Sequence, residues 1–245
     1  MGVNPLLPAA PLSRRNFLRA GLAGFGAVAG ASLLAACGSD SSSSSSGGGG
    51  ARSSTITIGT VVVDDTLNPM QEQYTTFQFN AFDALVRKLR GQNEPTPRLA
   101  QEWTRTSDTV WRFRLRSGVT FHDGSPVTAD DIVFSFTEVL DKQYALASVI
   151  SGFAGVRKID ETTIEIETKA PDPLLLDRVG QIFVVPKAHW EKVGPDGFNN
   201  NPIGCGPYRI TSFSPDRGIE FSVYDGFYGT KPPTPEISLR YFTDA

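Results

Sequence analysis

WRFRLRSGVTFHDGSPVTADDIVFS, residues 111–135, holds the clearest secondary-structure pattern in this chain. Its first six residues alternate between a large apolar side chain and arginine, which predicts a half-buried strand of an antiparallel sheet. Arg112, Arg114 and Arg116 then share the outer face. Such a row suits an anionic ligand, but it equally suits a solvated face on which carboxylates pair with the arginines, and we favour the second interpretation.

Two turns and a helix follow this strand. Ser117-Gly118 and residues 122–126 (HDGSP) have the composition of turns, and residues 119–121 run back between them. Thr128 and Asp131 have the spacing of a capping box, which predicts that a helix begins there. The buried stripe of this helix is expected to contain Ala129, Val133, Phe136 and Leu140, which recur at helical spacing.

The residues before this stretch predict a strand, a loop and a helix. Residues 55–63 (TITIGTVVV) begin with alternation and end in a β-branched run, which is typical of a strand that is buried on both faces at its end. The strand stops at Asp64-Asp65. Residues 66–69 (TLNP) form a loop, because a residue before proline is pushed out of the helical region. A helix is expected near residues 73–90.

The residues after it predict more strands than helices. We expect a hairpin around Asp160-Glu161, a short buried strand ended by Pro186, a helix after it, a loop and three final strands. In order, these are residues 155–159 with 163–168, 182–185, 187–193, 198–202, 208–213, 219–224 and 237–242. The mixture makes the fold class α/β, in the mixed α+β sense.

The amino terminus has the layout of an export signal. The only charges in residues 1–36 are Arg14, Arg15 and Arg19, and the stretch of 17 residues from Ala20 to Ala36 carries none. A membrane-spanning helix needs about 20 strongly apolar residues, so this weakly apolar stretch reads better as the core of a signal peptide.

Two short motifs refine this prediction. Residues 13–19 (SRRNFLR) resemble the twin-arginine export signal, and residues 34–37 (LAAC) resemble the lipobox of bacterial lipoproteins. The resemblance implies that Arg14 and Arg15 direct export and that the chain is cut before Cys37, which is then lipidated. An uncleaved membrane anchor is the alternative.

The chain is expected to divide into three parts. Residues 1–36 are the twin-arginine lipoprotein signal peptide, residues 37–54 are the lipidated cysteine and a Ser/Gly tether too polar to fold, and residues 55–245 are the folded lobe. The whole chain carries a net charge of −3, and 20 basic against 26 acidic residues remain after the leader is removed. This acidic balance argues against a nucleic-acid partner. With Cys37 lipidated, Cys205 is a lone thiol.

Residues 99–135, 184–187, 198–208 and 225–229 together resemble the extracellular solute-binding proteins, family 5. These proteins serve ATP-binding-cassette importers of oligopeptides, dipeptides, nickel and related solutes. The resemblance extends over residues 55–245 and implies a periplasmic-binding-protein-like lobe with an inserted β-rich subdomain. The chain ends where the family crosses into its second lobe, so we expect that lobe to be missing, solute binding to be weak or absent, and solubility to be poor.

The same resemblance implies a receptor without catalytic residues, cofactor or metal. Its partners would be a small solute, for which a peptide is favoured, the permease subunits of the importer, and the membrane through the lipid anchor. Its location would be the extracytoplasmic face of the bacterial cell membrane, in the periplasm or at the cell surface. The ligand cleft is expected to include Asp64, Asp65, Leu67 and Asn68.

Some motif residues have structural explanations. Gly204 and Gly206 permit a tight backbone before a strand, and the small thiol of Cys205 is expected to be buried between them where the family has Thr or Ser. His122-Asp123 suits a metal site or a catalytic pair, but a turn is favoured, because no cluster with ligand spacing surrounds it.

Two other functions stay open. One is a surface lipoprotein hydrolase, which has no nucleophile elbow and only His122 and His189 as candidate bases. The other is a truncated pseudo-receptor that contacts a partner but no longer holds solute.

Overall fold

The computed structural model describes residues 55–71, 77–89 and 91–242. All of them belong to one of the two units into which the chain divides, residues 50–245. The predicted signal peptide, Cys37 and the tether lie outside the described residues, as do residues 73–76 and 90 of the predicted helix. Within the described ranges, no helix is both long enough and apolar enough to cross a bilayer.

Short strands outnumber helices. In chain order, the elements are β1 (Thr55–Thr60), α1 (Gln78–Ala81), β2 (Val86–Arg87), β3 (Thr96–Pro97), β4 (Ala100–Arg105), β5 (Val110–Leu115), α2 (Ala129–Asp141), a 3-10 helix (Ala145–Ser148), β6 (Phe153–Asp160), β7 (Thr163–Thr168), α3 (Leu175–Val179), α4 (Lys187–Asn200), β8 (Tyr208–Ser214), β9 (Gly218–Val223) and β10 (Glu236–Tyr241). The predicted α/β class is confirmed.

One antiparallel sheet has the strand order β4-β5-β7-β6 and contains the predicted alternating strand and hairpin. Phe113 and Leu115 of β5 are buried, while its arginines lie on the outer face. Arg112 is paired with Glu165 at 2.6 Å and Arg114 with Glu102 at 2.5 Å. The arginine row is therefore a solvated face with carboxylate partners, and both of these arginines are engaged across strands.

The other four-stranded sheet has the order β1-β10-β9-β8, with β1 and β10 parallel and the remaining pairs antiparallel. Its three final strands confirm the prediction. Residues in register share a face of the sheet, so one face carries Ile237 and Leu239 of β10 beside Phe221 and Ile219 of β9. Three of these four side chains are buried, and Ile237 is packed partly buried against the core.

Helix α2 begins at the predicted capping box. The Thr128 hydroxyl accepts from the Asp131 amide, and the Asp131 carboxylate accepts from the Thr128 amide at 2.8 Å. Its buried face differs from the predicted stripe, because Val133 and Leu140 are only partly covered. The residues buried on this helix are Ala129, Asp131, Ile132, Ser135, Phe136 and Val139.

Two predicted elements outside the two large sheets, one helix and one strand, are wrong. Among the described residues of the helix expected near residues 73–90, only Gln78–Ala81 are helical, because Phe82 is extended and the chain then enters β2. Residues 182–185 are buried as expected but are not a strand. Two of their amides bond to separate segments instead of to one neighbouring strand. The Val184 amide donates to the Asp83 carbonyl, and the Val185 amide donates to the Ser135 hydroxyl.

Helix α4 corrects a third prediction. It extends to Asn200, so residues 198–200 of the predicted loop are helical. The predicted end of the first helical segment at Val193 is nevertheless sound, because Gly194 interrupts the helix with a φ of 70° before Pro195. A positive φ favours glycine, so the kink is encoded at this position.

A fourth prediction, for the burial of strand β1, is also wrong. Residues 55–63 were expected to be buried on both faces at the end of the strand, yet Ile56, Ile58, Val61 and Val62 are between 45% and 76% exposed. The cause is position, since β1 lies at the edge of its sheet and the strand itself ends at Thr60. The β-branched composition predicts a strand but carries no information about what covers it.

Candidate functional site

The carboxyl ends of β1 and β10 lie side by side at one edge of the sheet. The two strands are parallel and Thr60 is in register with Tyr241, so the segments that follow them leave the sheet together. The Phe242 amide donates to the Thr60 carbonyl at 2.9 Å. In open α/β sheets, ligands bind outside the carboxyl ends of parallel strands, so this edge is the candidate ligand site.

The loop after β1 is fixed from inside the fold. The Tyr241 hydroxyl donates to the Asp64 carboxylate at 2.9 Å, and both residues are buried. Asn199 of α4 accepts from the Leu67 amide and lies 3.0 Å from the Thr66 hydroxyl. Because the loop is bonded to two different elements, its exposed part is held in one position.

The four predicted cleft residues fall into two groups. Asp64, Leu67 and Asn68 are at most 2% exposed, and the Asn68 carboxamide accepts from the Met70 amide at 3.0 Å. Asp65 is exposed. Three of the predicted residues therefore hold the loop, and Asp65 is the one that presents a charged group to solvent.

Backbone and apolar surface accompany Asp65. Val61 is 76% exposed and Val62 is 48% exposed, and neither lies in a strand. A pocket of about 330 Å³ opens against β1, β9 and β10. It is lined by Ile58, Gly59, Thr60, Asn80, Phe221, Ile237 and Leu239. The edge thus combines an exposed carboxylate with exposed apolar side chains, both of which a peptide can contact.

A buried ionic network lies away from this edge and was not predicted. The Arg98 guanidinium donates to both oxygens of Asp83, at distances of 2.6–3.0 Å, and the Tyr228 hydroxyl donates to the same carboxylate at 2.6 Å. Asp83 is 4% exposed. Its main-chain carbonyl also accepts from Val184, so this residue connects three distant segments.

The charges of this network stabilise one another. Burial lowers the pKa of Arg98, but the hydrogen bond and the charge of Asp83 outweigh burial and raise that pKa above its usual value. Burial raises the pKa of Tyr228, and the negative charge of Asp83 raises it further. Arg98 stays cationic and Tyr228 neutral, as a paired buried carboxylate requires.

His122 belongs to a structural turn, as predicted. Its Nδ1 accepts from the Gly204 amide at 3.4 Å, which leaves Nε2 to donate to the Gly206 carbonyl at 3.1 Å. Burial lowers the pKa of this imidazole to about 4, and the nearby positive charge of Arg209 acts in the same direction. The ring is therefore a neutral link between two segments of the fold.

The remaining candidates for chemistry also have structural roles. His189 Nε2 lies 3.0 Å from the Asn201 carbonyl, so both histidine rings are bonded to main chain. Cys205 is a free, fully buried thiol whose pKa is raised by burial. Over residues 55–71, 77–89 and 91–242, no group of three or more His, Cys, Asp or Glu residues is arranged to hold a metal ion.

The fold is that of one lobe of a periplasmic-binding-protein-like structure. The profile of the bacterial extracellular solute-binding proteins, family 5, matches residues 94–245. The chain belongs to this family.

Several relatives illustrate the range of the family. The dipeptide-binding protein of Escherichia coli (strain K12) is 30% identical over 194 residues, which are 65% of this chain and 36% of that protein. The crystal structure of NikZ from Campylobacter jejuni in complex with Ni(L-His) is similar with a TM-score of 0.72 and 25% identity, over 77% of this chain and 39% of that one.

A further solved structure is MoaA in complex with mannopinic acid, from A. tumefaciens R10. It has a TM-score of 0.71 and 28% identity, over 78% of this chain and 41% of that one. The chain therefore spans between 36% and 41% of the length of these three relatives. Their three ligands differ, so family membership does not define the solute.

Proposed function

We propose that this protein is a lipid-anchored extracytoplasmic receptor that delivers oligopeptides or dipeptides to an ATP-binding-cassette importer. The observation that carries the proposal is the family match over residues 94–245. A receptor of this kind acts without a catalytic group: the solute favours a closed form, which the permease subunits bind.

Peptides are the solute class that best fits the exposed edge. Val61, Val62 and Asp65 are exposed just beyond the end of β1, so a peptide could contact two apolar side chains and a carboxylate there. The Asp65 carboxylate is suited to a cationic group such as a peptide amino terminus. The similarity to the dipeptide-binding protein of Escherichia coli supports the same choice.

Asp65→Asn is expected to reduce peptide capture at least fivefold, because it removes the exposed charge and keeps the shape of the side chain. The probe is a dipeptide and tripeptide mixture that carries a photoreactive diazirine on an apolar side chain, which traps even weak complexes. The amount of peptide attached to the full chain after illumination is measured by mass spectrometry.

The matched control is Asp108→Asn. Asp108 is 88% exposed in the turn between β4 and β5, on the other sheet, so this variant makes the same chemical change far from the edge. It should label like the unmodified chain. Equal labelling of the Asp65 and Asp108 variants would remove Asp65 from the solute site.

Membrane attachment is proposed on the sequence motifs. The twin-arginine pair Arg14-Arg15 and the lipobox at Cys37 occur in the order that export and lipidation require. A single acyl chain gives only reversible attachment, so the multiple chains of a lipoprotein would hold the receptor at the membrane. The Ser/Gly tether would let the folded lobe reach a permease.

Cys37→Ser is expected to abolish lipidation. In cells fed an alkyne-tagged fatty acid, the unmodified protein should take up the label and partition into the membrane fraction, whereas Cys37→Ser should do neither. Cys205→Ser is the matched control, because the Cys205 thiol is fully buried. This variant should take up the fatty-acid label as the unmodified protein does. An unlabelled parent protein with an intact leader would contradict the lipoprotein assignment.

A further inference from the structure

The Asp65 carboxylate is held in place only through its neighbours in the chain. Within the described ranges, no hydrogen bond or ion pair engages this side chain. Asp64, before it, is bonded to Tyr241 of β10, and Thr66, after it, lies 3.0 Å from the side-chain oxygen of Asn199. The position of the exposed charge therefore depends on two anchors, one on each side.

The second anchor is a single oxygen atom. The Leu67 amide can only donate, so the atom of Asn199 that it meets is Oδ1, an acceptor. The Thr66 hydroxyl lies 3.0 Å from this oxygen and 3.1 Å from Gln71 Oε1, and it accepts from the Asn68 amide at 3.0 Å. Leu67 is 2% exposed, so water replaces the bond to Asn199 poorly.

The break in α4 is what brings Asn199 to this loop. Residues 195–200 follow the kink at Gly194 and form a second helical segment. Phe198 seats this segment in the core, because it is fully buried and its ring lies 4.9 Å from that of Trp190. Asn199 is the next residue and is only partly buried, so its carboxamide can be removed without opening the core.

We infer that Asn199 is a positioning residue for the solute site: by holding Thr66 and Leu67, it sets where the Asp65 carboxylate stands when a peptide binds. The inference rests on the proposed function, in which Asp65 contacts the solute. Asn199 acts without touching the peptide. A loop that is already fixed loses less conformational entropy on binding, so removal of this anchor weakens peptide capture.

The test compares Asn199→Ala with Asn200→Ala in the full chain. Asn200 is exposed and donates to the Asp196 carbonyl of its own helix, so the control makes the same chemical change one residue away. Asn199→Ala should lower labelling by the diazirine peptides at least threefold, whereas Asn200→Ala should label like the parent. Without peptide, hydrogen exchange at the Leu67 amide should be at least tenfold faster in Asn199→Ala and unchanged in Asn200→Ala.

A double variant separates positioning from a general loss of stability. Because Asn199 acts through Asp65, Asn199→Ala should lower labelling no further in a chain that already carries Asp65→Asn, whereas a merely structural role would lower it in both backgrounds. Labelling of Asn199→Ala equal to that of the parent, unchanged exchange at Leu67, or a further loss in the double variant overturns the inference and leaves the proposed function standing. A parent chain that captures no peptide overturns the proposed function, and the inference with it.

Discussion

Asp83→Ala is expected to lower the free energy of unfolding by about 3–5 kcal/mol, the cost of removing one partner from a buried ion pair. The substitution leaves the Arg98 guanidinium without its bidentate partner and the Tyr228 hydroxyl without its acceptor. Asp83 is 4% exposed, so water replaces these bonds poorly. Urea unfolding, followed by tryptophan fluorescence, measures the change.

A surface ion pair supplies the control. Asp225 is 2.9 Å from Lys231 but 91% exposed, so Asp225→Ala should cost less than about 1 kcal/mol. The contrast isolates burial, because both substitutions remove an aspartate that is paired with a cation. A loss below about 1 kcal/mol for Asp83→Ala would mean that the network is not a stabilising link between its segments.

Gly204→Ala is expected to prevent native folding or to cost more than about 4 kcal/mol. A Cβ built on Gly204 would lie 2.0 Å from the Ala81 carbonyl oxygen, a main-chain atom that no rotamer change can move. The same approach brings the Gly206 amide to the Ala81 carbonyl at 3.0 Å, so relief of the clash would break this contact. Circular dichroism and urea unfolding report the outcome.

Gly152→Ala is the matched control. Its added Cβ would meet no atom within 4 Å, and its φ lies outside the positive range, so the change should stay within about 1 kcal/mol. A Gly204→Ala protein as stable as Gly152→Ala would show that the segment before β8 does not need the close approach seen in the fold.

The sequence predicts elements well where a local pattern and the tertiary environment agree. The alternation in β5, the capping box of α2 and the hairpin of β6 and β7 each match a local rule, and all three are confirmed. Gly204 and Gly206 could be identified as tight positions, but not their partner Ala81, which is more than 120 residues away.

Long-range packing explains the failures. The helix expected near residues 73–90 rested on apolar residues at helical spacing, yet the chain becomes extended at Phe82. The Phe82 ring packs against those of Phe77, Phe183 and Phe198. The exposure of β1 depends on its place at the sheet edge. The Asp83 network escaped detection because Tyr228 is 145 positions from Asp83, so no spacing rule connects them.

The candidate site was predicted in part. The position of the loop after β1 follows from the end of a strand at Asp64-Asp65, but its division into buried and exposed residues depends on Tyr241 and Asn199. These two residues are 177 and 132 positions away from the groups they bind. Only the fold shows that Asp65 is exposed while Asp64, Leu67 and Asn68 are buried.

Mapping the residues to which the photoreactive peptide attaches is the most direct test of whether the β1–β10 edge binds solute. Peptide sequencing by mass spectrometry of the illuminated full chain gives the attachment sites. We expect them to lie in residues 60–66 and at Phe242, and to be depleted by excess unlabelled dipeptide. Attachment confined to the β4–β7 sheet, or unaffected by competing dipeptide, would contradict the receptor site proposed at this edge.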